Sequence, residues 1–190
     1  MNGTTLRNPW VLTALFALSV AFVVTGAQYV NAASSLFGGA SESGGHVVLV
    51  SDASNVPTGD DYSGVSFDDA NGTIFSTLST LSSDFDVTDD SCGGGSPRFQ
   101  IDMDTDGDSV SDGNVFVYMG PSPSFSGCAG SANTGNLIGN NDAGRWDFTQ
   151  LGGPLGGYSD APANVLAGTI LGIDIVVDSS WSAAATGGDS

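Results

Sequence analysis

A run of aspartates lies in the middle of this chain, where carboxylates alternate with other residues around Gly107. Alternation places several oxygen ligands on one side of a tight loop, and glycine lets the backbone turn sharply beneath them. Calcium takes about six to eight oxygen ligands at about 2.3–2.6 Å, and such a loop can supply several of them. The pattern therefore predicts a calcium site with the candidate ligands Asp102, Asp104, Asp106, Asp108 and Asp112.

A plain acidic β-turn is the alternative interpretation of the same run. Asp106-Gly107 between two strand-like segments is by itself a strong hairpin signal. We favour a bound cation because so many unpaired carboxylates in one turn would repel one another. The loop is not an EF-hand, since Gly113 stands where a bidentate acid is required and both flanking segments are typical of strands.

Short β-branched and aromatic runs, separated by clusters of turn residues, predict many short strands around this loop. Segment 98–103 alternates clearly, with Phe99, Ile101 and Met103 on one face. Segment 169–177 is apolar on both faces, which predicts a central strand that is covered on both faces and flanked by paired strands. The other predicted strands are 46–51, 64–67, 73–81, 85–88, 114–119 and 146–149.

One short helix is expected at 161–167, with Asp160 as its cap and Pro162 in its first turn. Many strands and one helix predict an all-β fold, a jelly-roll-like β-sandwich. The small-residue segment 33–45 is typical of a linker, so the sandwich domain is predicted to span 46–190.

The first 32 residues have the pattern of a signal peptide. Arg7 precedes a long apolar run, and the small residues Val30 and Ala32 fit a cleavage site. The apolar run approaches the length of a spanning helix, so an uncleaved N-terminal anchor is the alternative. Either version predicts a secreted, extracellular or cell-surface protein.

The net charge of the chain argues against some classes of binding partner. The chain has 3 Lys+Arg against 21 Asp+Glu, for a net charge of −18. A surface of this kind disfavours nucleic acid and anionic membranes, whereas divalent cations and cell-wall polymers suit it better. A solvated acidic surface that keeps a secreted protein soluble is the simpler explanation of much of this charge.

The two cysteines, Cys92 and Cys128, are predicted to form a disulfide, because secretion makes pairing the default for an even cysteine count. Two separate buried thiols are the alternative. Metal binding by these thiols is disfavoured, since neither has a CxxC neighbour and the chain has a single histidine, His46.

Aromatic residues could form a platform for stacking sugars. Tyr118 lies in a strand-like segment, whereas Trp146 and Trp181 lie near segment ends and are the better candidates for exposure. Packing in the core is the more frequent fate of strand aromatics. Catalysis has little support, since no G-x-S-x-G motif follows a strand and opens a helix.

Two resemblances add to this interpretation. Asp102, Asp104, Asp106 and Gly107 match the DxDxDG loops of thrombospondin type 3 repeats and similar extracellular calcium loops. Residues 46–181, with the pieces GNVFVYMG and GIDIVVDSSW, resemble secreted prokaryotic domains of unassigned function. The resemblance implies a secreted β-sandwich and no activity.

We therefore expect a calcium-binding, non-catalytic extracellular domain that binds a surface glycan or matrix. The second hypothesis is a structural subunit of a surface layer or filament that self-associates by strand addition.

Overall fold

The computed structural model describes residues 35–51, 62–88, 91–93, 95–128 and 130–178. The predicted signal segment 1–32 and Trp181 lie outside these residues. Among the helices that the structure describes, none is long and apolar enough to cross a membrane.

Short strands are the main regular secondary structure of the described residues. They are Ser35–Gly38 (β1), Ser41–Ser43 (β2), His46–Val48 (β3), Tyr62–Phe67 (β4), Asp84–Val87 (β5), Arg98–Asp104 (β6), Gly113–Tyr118 (β7), Gly130–Asn133 (β8), Trp146–Asp147 (β9), Leu155–Gly156 (β10) and Thr169–Asp178 (β11). The helices are Leu137–Asn140 (α1), Ala163–Ala167 (α2) and the 3-10 turns Phe75–Thr77, Thr149–Leu151 and Tyr158–Asp160. The all-β prediction is confirmed.

Seven strands form one antiparallel sheet in the order β1-β4-β11-β6-β7-β9-β10. The pairs β2-β3 and β5-β8 form separate two-stranded ribbons. Strand β11 lies between β4 and β6, so the prediction of a central strand with partners on both sides is confirmed. The predicted coverage of both faces is only partly seen, because Ile173 is buried in the core whereas Asp174, on the opposite face, is half-buried.

The hydrophobic core covers one face of the seven-stranded sheet. Alternation sends Phe99, Ile101 and Met103 of β6 into this core, where all three are buried. The second layer of the sandwich consists largely of connecting segments, which contribute Phe75, Leu78, Leu81, Leu137 and Val165. The opposite face of the sheet, called the outer face below, carries polar and aromatic residues.

The strand predicted at 73–81 is wrong, since the segment forms the 3-10 turn Phe75–Thr77 and irregular backbone. Its apolar residues Phe75, Leu78 and Leu81 recur at every third position, which is not the alternation of a half-buried strand. All three are buried. A backbone hydrogen bond from Phe75 N to Gly168 O (2.9 Å) anchors this turn against α2.

Two further details differ from the sequence predictions. The segment 33–45, expected as a linker, contains β1, which pairs with β4 in the main sheet. Helix α2 begins at Ala163 rather than 161, with Pro162 at its N-cap. Asp160 does not cap this helix, because its carboxylate accepts a hydrogen bond from Gly157 N (2.8 Å) and closes the preceding turn.

Candidate functional site

The aspartate run forms the connection of the β6–β7 hairpin. Asp104 ends β6, and the chain returns at Gly113, where β7 begins. A hydrogen bond from Asp112 N to Met103 O (2.8 Å) closes the loop. Gly107 (φ 87°) and Ser109 (φ 66°) adopt left-handed backbone conformations, which let the loop turn back within a few residues.

The loop is wound around the carboxylate of Asp104, a residue that is only 4% exposed. Its Oδ1 accepts hydrogen bonds from Asp106 N (3.2 Å) and Gly107 N (2.6 Å). Its Oδ2 accepts one from Ser109 N (3.0 Å). Three backbone donors on one carboxylate fix the loop in place and keep this negative charge at its centre.

The exposed carboxylates of Asp106 and Asp108 lie beside it. One oxygen from each of Asp104, Asp106 and Asp108 lies within 4.8 Å of the others. Two oxygens that bind one Ca²⁺ at about 2.3–2.6 Å are separated by at most about 5 Å. The three aspartates therefore form a group that could hold a metal ion.

Asp102 and Asp112 lie outside this group of three. Asp102, on the outer face, accepts a hydrogen bond from Ser111 Oγ. Asp112 Oδ2 accepts hydrogen bonds from Thr105 Oγ1 and Thr105 N, both at 2.7 Å. These bonds, the hydroxyl first, lower the pKa of the Asp112 carboxyl. The structure thus groups two of the three residues that match the DxDxDG motif, and it adds Asp108.

Both arginines of the described residues pair elsewhere. Arg98 pairs with Asp178 at 2.6 Å, and Arg145 pairs with Asp142 at 2.7 Å. Three carboxylates within 4.8 Å of one another repel, and neither arginine compensates them. The donor set therefore fits a hard divalent cation.

The predicted disulfide between Cys92 and Cys128 is confirmed, with the Cα atoms 5.0 Å apart. Both residues are buried, and Gly127 N donates to Cys92 O (2.9 Å). The bond ties the segment before β6 to the connection between β7 and β8.

The candidate sugar-binding residues have different positions. Trp146 is fully buried, so its prediction as an exposed stacking residue is wrong. It packs against Phe75, Phe148 and Tyr158 at centroid distances of 6.1, 6.1 and 5.0 Å. This burial follows from its position in β9, where it pairs with Val117 on the core side of the sheet.

Tyr118 lies on the outer face and donates from its hydroxyl to Asp147 Oδ2 (3.1 Å). Burial, with the negative charge of Asp147, raises the pKa of Tyr118 to about 12. The hydroxyl therefore stays protonated and acts as a fixed donor at neutral pH.

Sequence reasoning missed a second group of polar residues on the outer face. Gln100 and Asp174 are neighbours across β6 and β11, and Arg98 faces Val176 in the same pair of strands. The signal was Asp174, an acid inside the otherwise largely apolar segment 169–177, which marks a side chain that does not enter the core.

Comparison with known proteins finds no match: no family model, no curated protein and no solved structure is significantly similar to this chain.

Proposed function

We propose that this chain is an exported, calcium-binding β-sandwich with a non-catalytic extracellular role, in which it binds a surface glycan or extracellular matrix. The observation that carries the proposal is the convergence of Asp104, Asp106 and Asp108 within 4.8 Å in a loop without a compensating arginine.

Calcium is the cation that suits this loop best. An all-oxygen donor set on a hairpin connection selects a hard cation over zinc or copper, which prefer nitrogen and sulfur ligands. Magnesium demands a near-ideal octahedron at about 2.0–2.1 Å, whereas calcium tolerates irregular ligand sets that include backbone carbonyls and water. Asp102 and Asp112 stay candidates for the remaining positions if their hydrogen bonds rearrange when the ion binds.

Export is supported by two independent features. The N-terminal 32 residues have the charge and hydropathy pattern of a signal peptide. The Cys92–Cys128 disulfide is of the kind that persists in oxidising compartments.

A binding role is supported by the outer face of the sheet, where aromatic rings lie beside polar side chains. Arg98, for example, stacks over Phe116 with 5.1 Å between its guanidinium carbon and the ring centroid. Rings beside hydrogen-bonding groups suit sugars, whose apolar faces stack and whose hydroxyls hydrogen bond.

The single histidine, His46, lies on the β2–β3 ribbon, away from the aspartate loop in sequence.

Expression of the full chain with its own N-terminus tests export and binding together. Mass spectrometry of the extracellular protein should give a chain that begins near residue 33. That protein should sediment with at least one insoluble neutral polysaccharide, such as cellulose or chitin. Retention inside the cell contradicts export, and a protein that forms ladders or filaments with calcium supports the structural-subunit hypothesis instead.

A further inference from the structure

A cleft of about 390 Å³ lies on the outer face, at the end of β6 opposite the aspartate loop. It is lined by Phe37, Tyr62, Arg98, Gln100, Asp174, Val176 and Asp178. Strand pairing builds it, because β1, β4, β11 and β6 lie side by side and present these residues on one face. Its volume falls within the range of about 300–1,000 Å³ that small-molecule sites occupy.

One wall of the cleft is aromatic. The ring of Phe37 lies directly over Gly64, where any Cβ would overlap it and would also lie 2.9 Å from Ile175 O. Tyr62 stands next to it, with 6.1 Å between ring centroids and 44% of the residue exposed. The missing side chain at Gly64 therefore lets two rings stand together at the surface of the sheet.

Apart from Val176, the rest of the cleft is polar, and hydrogen bonds fix the position of Arg98. Arg98 Nη1 donates to Gly95 O (2.8 Å) and to Asp178 Oδ2 (2.6 Å). The same guanidinium lies over the ring of Phe116. Gln100 and Asp174 face each other across β6 and β11. Donors and acceptors thus alternate on a rigid sheet, which reduces the entropy lost on binding.

The charge of the lining narrows the ligand class. The lining carries one guanidinium, Arg98, and two carboxylates, Asp174 and Asp178, in a chain of net charge −18. An anionic ligand would be repelled, and a wholly apolar ligand would leave the polar groups unpaired at a cost. A neutral ligand with many hydroxyls satisfies both donors and acceptors, and its apolar face can stack on a ring.

We propose that this cleft binds a neutral saccharide, which stacks on Tyr62 and Phe37 and hydrogen bonds with Gln100, Asp174 and Arg98. The inference rests on the proposed glycan-binding function and assigns it a site. The aspartate loop lies at the other end of β6, so calcium stabilises the sheet from there without touching the sugar.

Calorimetric titration of the purified protein with soluble cellohexaose and chitohexaose tests the site. The parent should bind at least one of them, and Tyr62→Ala and Gln100→Ala should each weaken binding about tenfold or more. Tyr62→Phe keeps the ring and should retain most of the affinity. Gln150→Ala is the control for Gln100→Ala: it removes an exposed glutamine outside the cleft, whose Oε1 accepts from Asn114 N (2.9 Å), and it should leave the saccharide affinity unchanged. Circular dichroism confirms that each variant is folded.

Each of the following results would overturn the assignment of the cleft as a site for a neutral saccharide. If a neutral saccharide binds and Tyr62→Ala and Gln100→Ala leave its affinity unchanged, the site is wrong while the glycan-binding function stands. If neither hexasaccharide binds, this proposal fails, and sedimentation with insoluble polysaccharides decides the wider function separately. If the cleft binds only an anionic polymer such as polygalacturonate, or only a cationic lysine-rich peptide, the proposed ligand class is wrong.

Discussion

Asp104 differs from its two neighbours in what its carboxylate does before any metal binds. It accepts three backbone hydrogen bonds and is buried, whereas Asp106 and Asp108 are exposed and accept one each. The same three residues should therefore separate by mutation into one that holds the loop and two that mainly supply metal ligands.

Asp104→Asn should lower the free energy of unfolding by about 1–3 kcal/mol in EGTA. The backbone donors of the parent approach both carboxylate oxygens of Asp104, whereas the asparagine side chain has only one acceptor oxygen. Asp106→Asn should change it by less than about 0.5 kcal/mol, since its amide oxygen can still accept from Asp108 N. Urea unfolding of both variants in EGTA measures the difference. Equal effects would mean that the Asp104 hydrogen bonds do not organise the loop.

Asp174 should make stability depend on pH. Burial raises the pKa of its carboxyl above the ordinary value of 3.8, and the charges of Asp102 and Asp68 raise it further, while a hydrogen bond with Ser66 lowers it. At pH values between the unfolded and the folded pKa of Asp174, the folded chain binds more protons than the unfolded chain does. This contribution to stability is therefore fully present below pH 3.8 and is lost as the pH rises through the folded pKa.

Asp174→Asn removes the cost of ionisation, so the variant should be more stable than the parent at about pH 7 and should converge with it at about pH 3. Urea midpoints at the two pH values give the comparison. Asp86→Asn, at an exposed position of β5, controls for the general loss of one negative charge. A parent and variant that differ equally at both pH values would show that Asp174 does not carry this effect.

At the scale of elements, the attachment of β1 depends on Gly64. A Cβ there would overlap the ring of Phe37, which lies across the β1–β4 pair. Gly64→Ala should displace β1 and lower the free energy of unfolding by about 1–3 kcal/mol, the usual cost of overpacking. Gly139→Ala is the matched control, because its nearest neighbour would be Asn136 Nδ2 at 3.7 Å.

Hydrogen exchange of β1 and β4 amides, with thermal unfolding, measures this effect. Faster exchange confined to β1 and β4 in Gly64→Ala is the expected result. If both alanine variants unfold like the parent, the ring of Phe37 does not rest on this backbone, and the aromatic wall of the cleft has been placed incorrectly.

The elements that could be predicted from the sequence are those with a local signal. Strand β6 alternates over its whole length, and β11 is apolar enough to require a central position. Strand β1 (SLFG) has no such signal, and it is ordered by pairing with β4, more than 20 residues away. Strand β8 (GSAN) is fully exposed and depends on pairing with β5 in the same way.

At the scale of the whole molecule, the two candidate sites differ in how far the sequence could reveal them. The aspartate loop is local, so spacing around Gly107 was enough to find it. The cleft combines residues from four strands, from Phe37 to Asp178, and only the register of those strands places them together. The burial of Trp146 could not be predicted from the sequence either, because it depends on the pairing of Trp146 with the distant residue Val117.

The structural-subunit hypothesis requires that the sheet has an edge at which another chain can pair. Strand addition needs an edge, and the described sheet ends in β1, with four residues, and β10, with two. Short edge strands protect a sheet against uncontrolled pairing with another chain. We therefore rank a binding module above a filament subunit.

Calcium should stabilise the folded chain in proportion to the logarithm of its free concentration above the dissociation constant. The most direct test is calorimetric titration of the metal-stripped protein with CaCl₂, beside the Asp106→Asn/Asp108→Asn double variant and the control Asp86→Asn. We predict at least one site with a dissociation constant of about 10⁻⁶–10⁻³ M, weakened at least about tenfold in the double variant and unchanged in the control. A flat titration of the parent, or equal affinity in the double variant, would contradict this prediction.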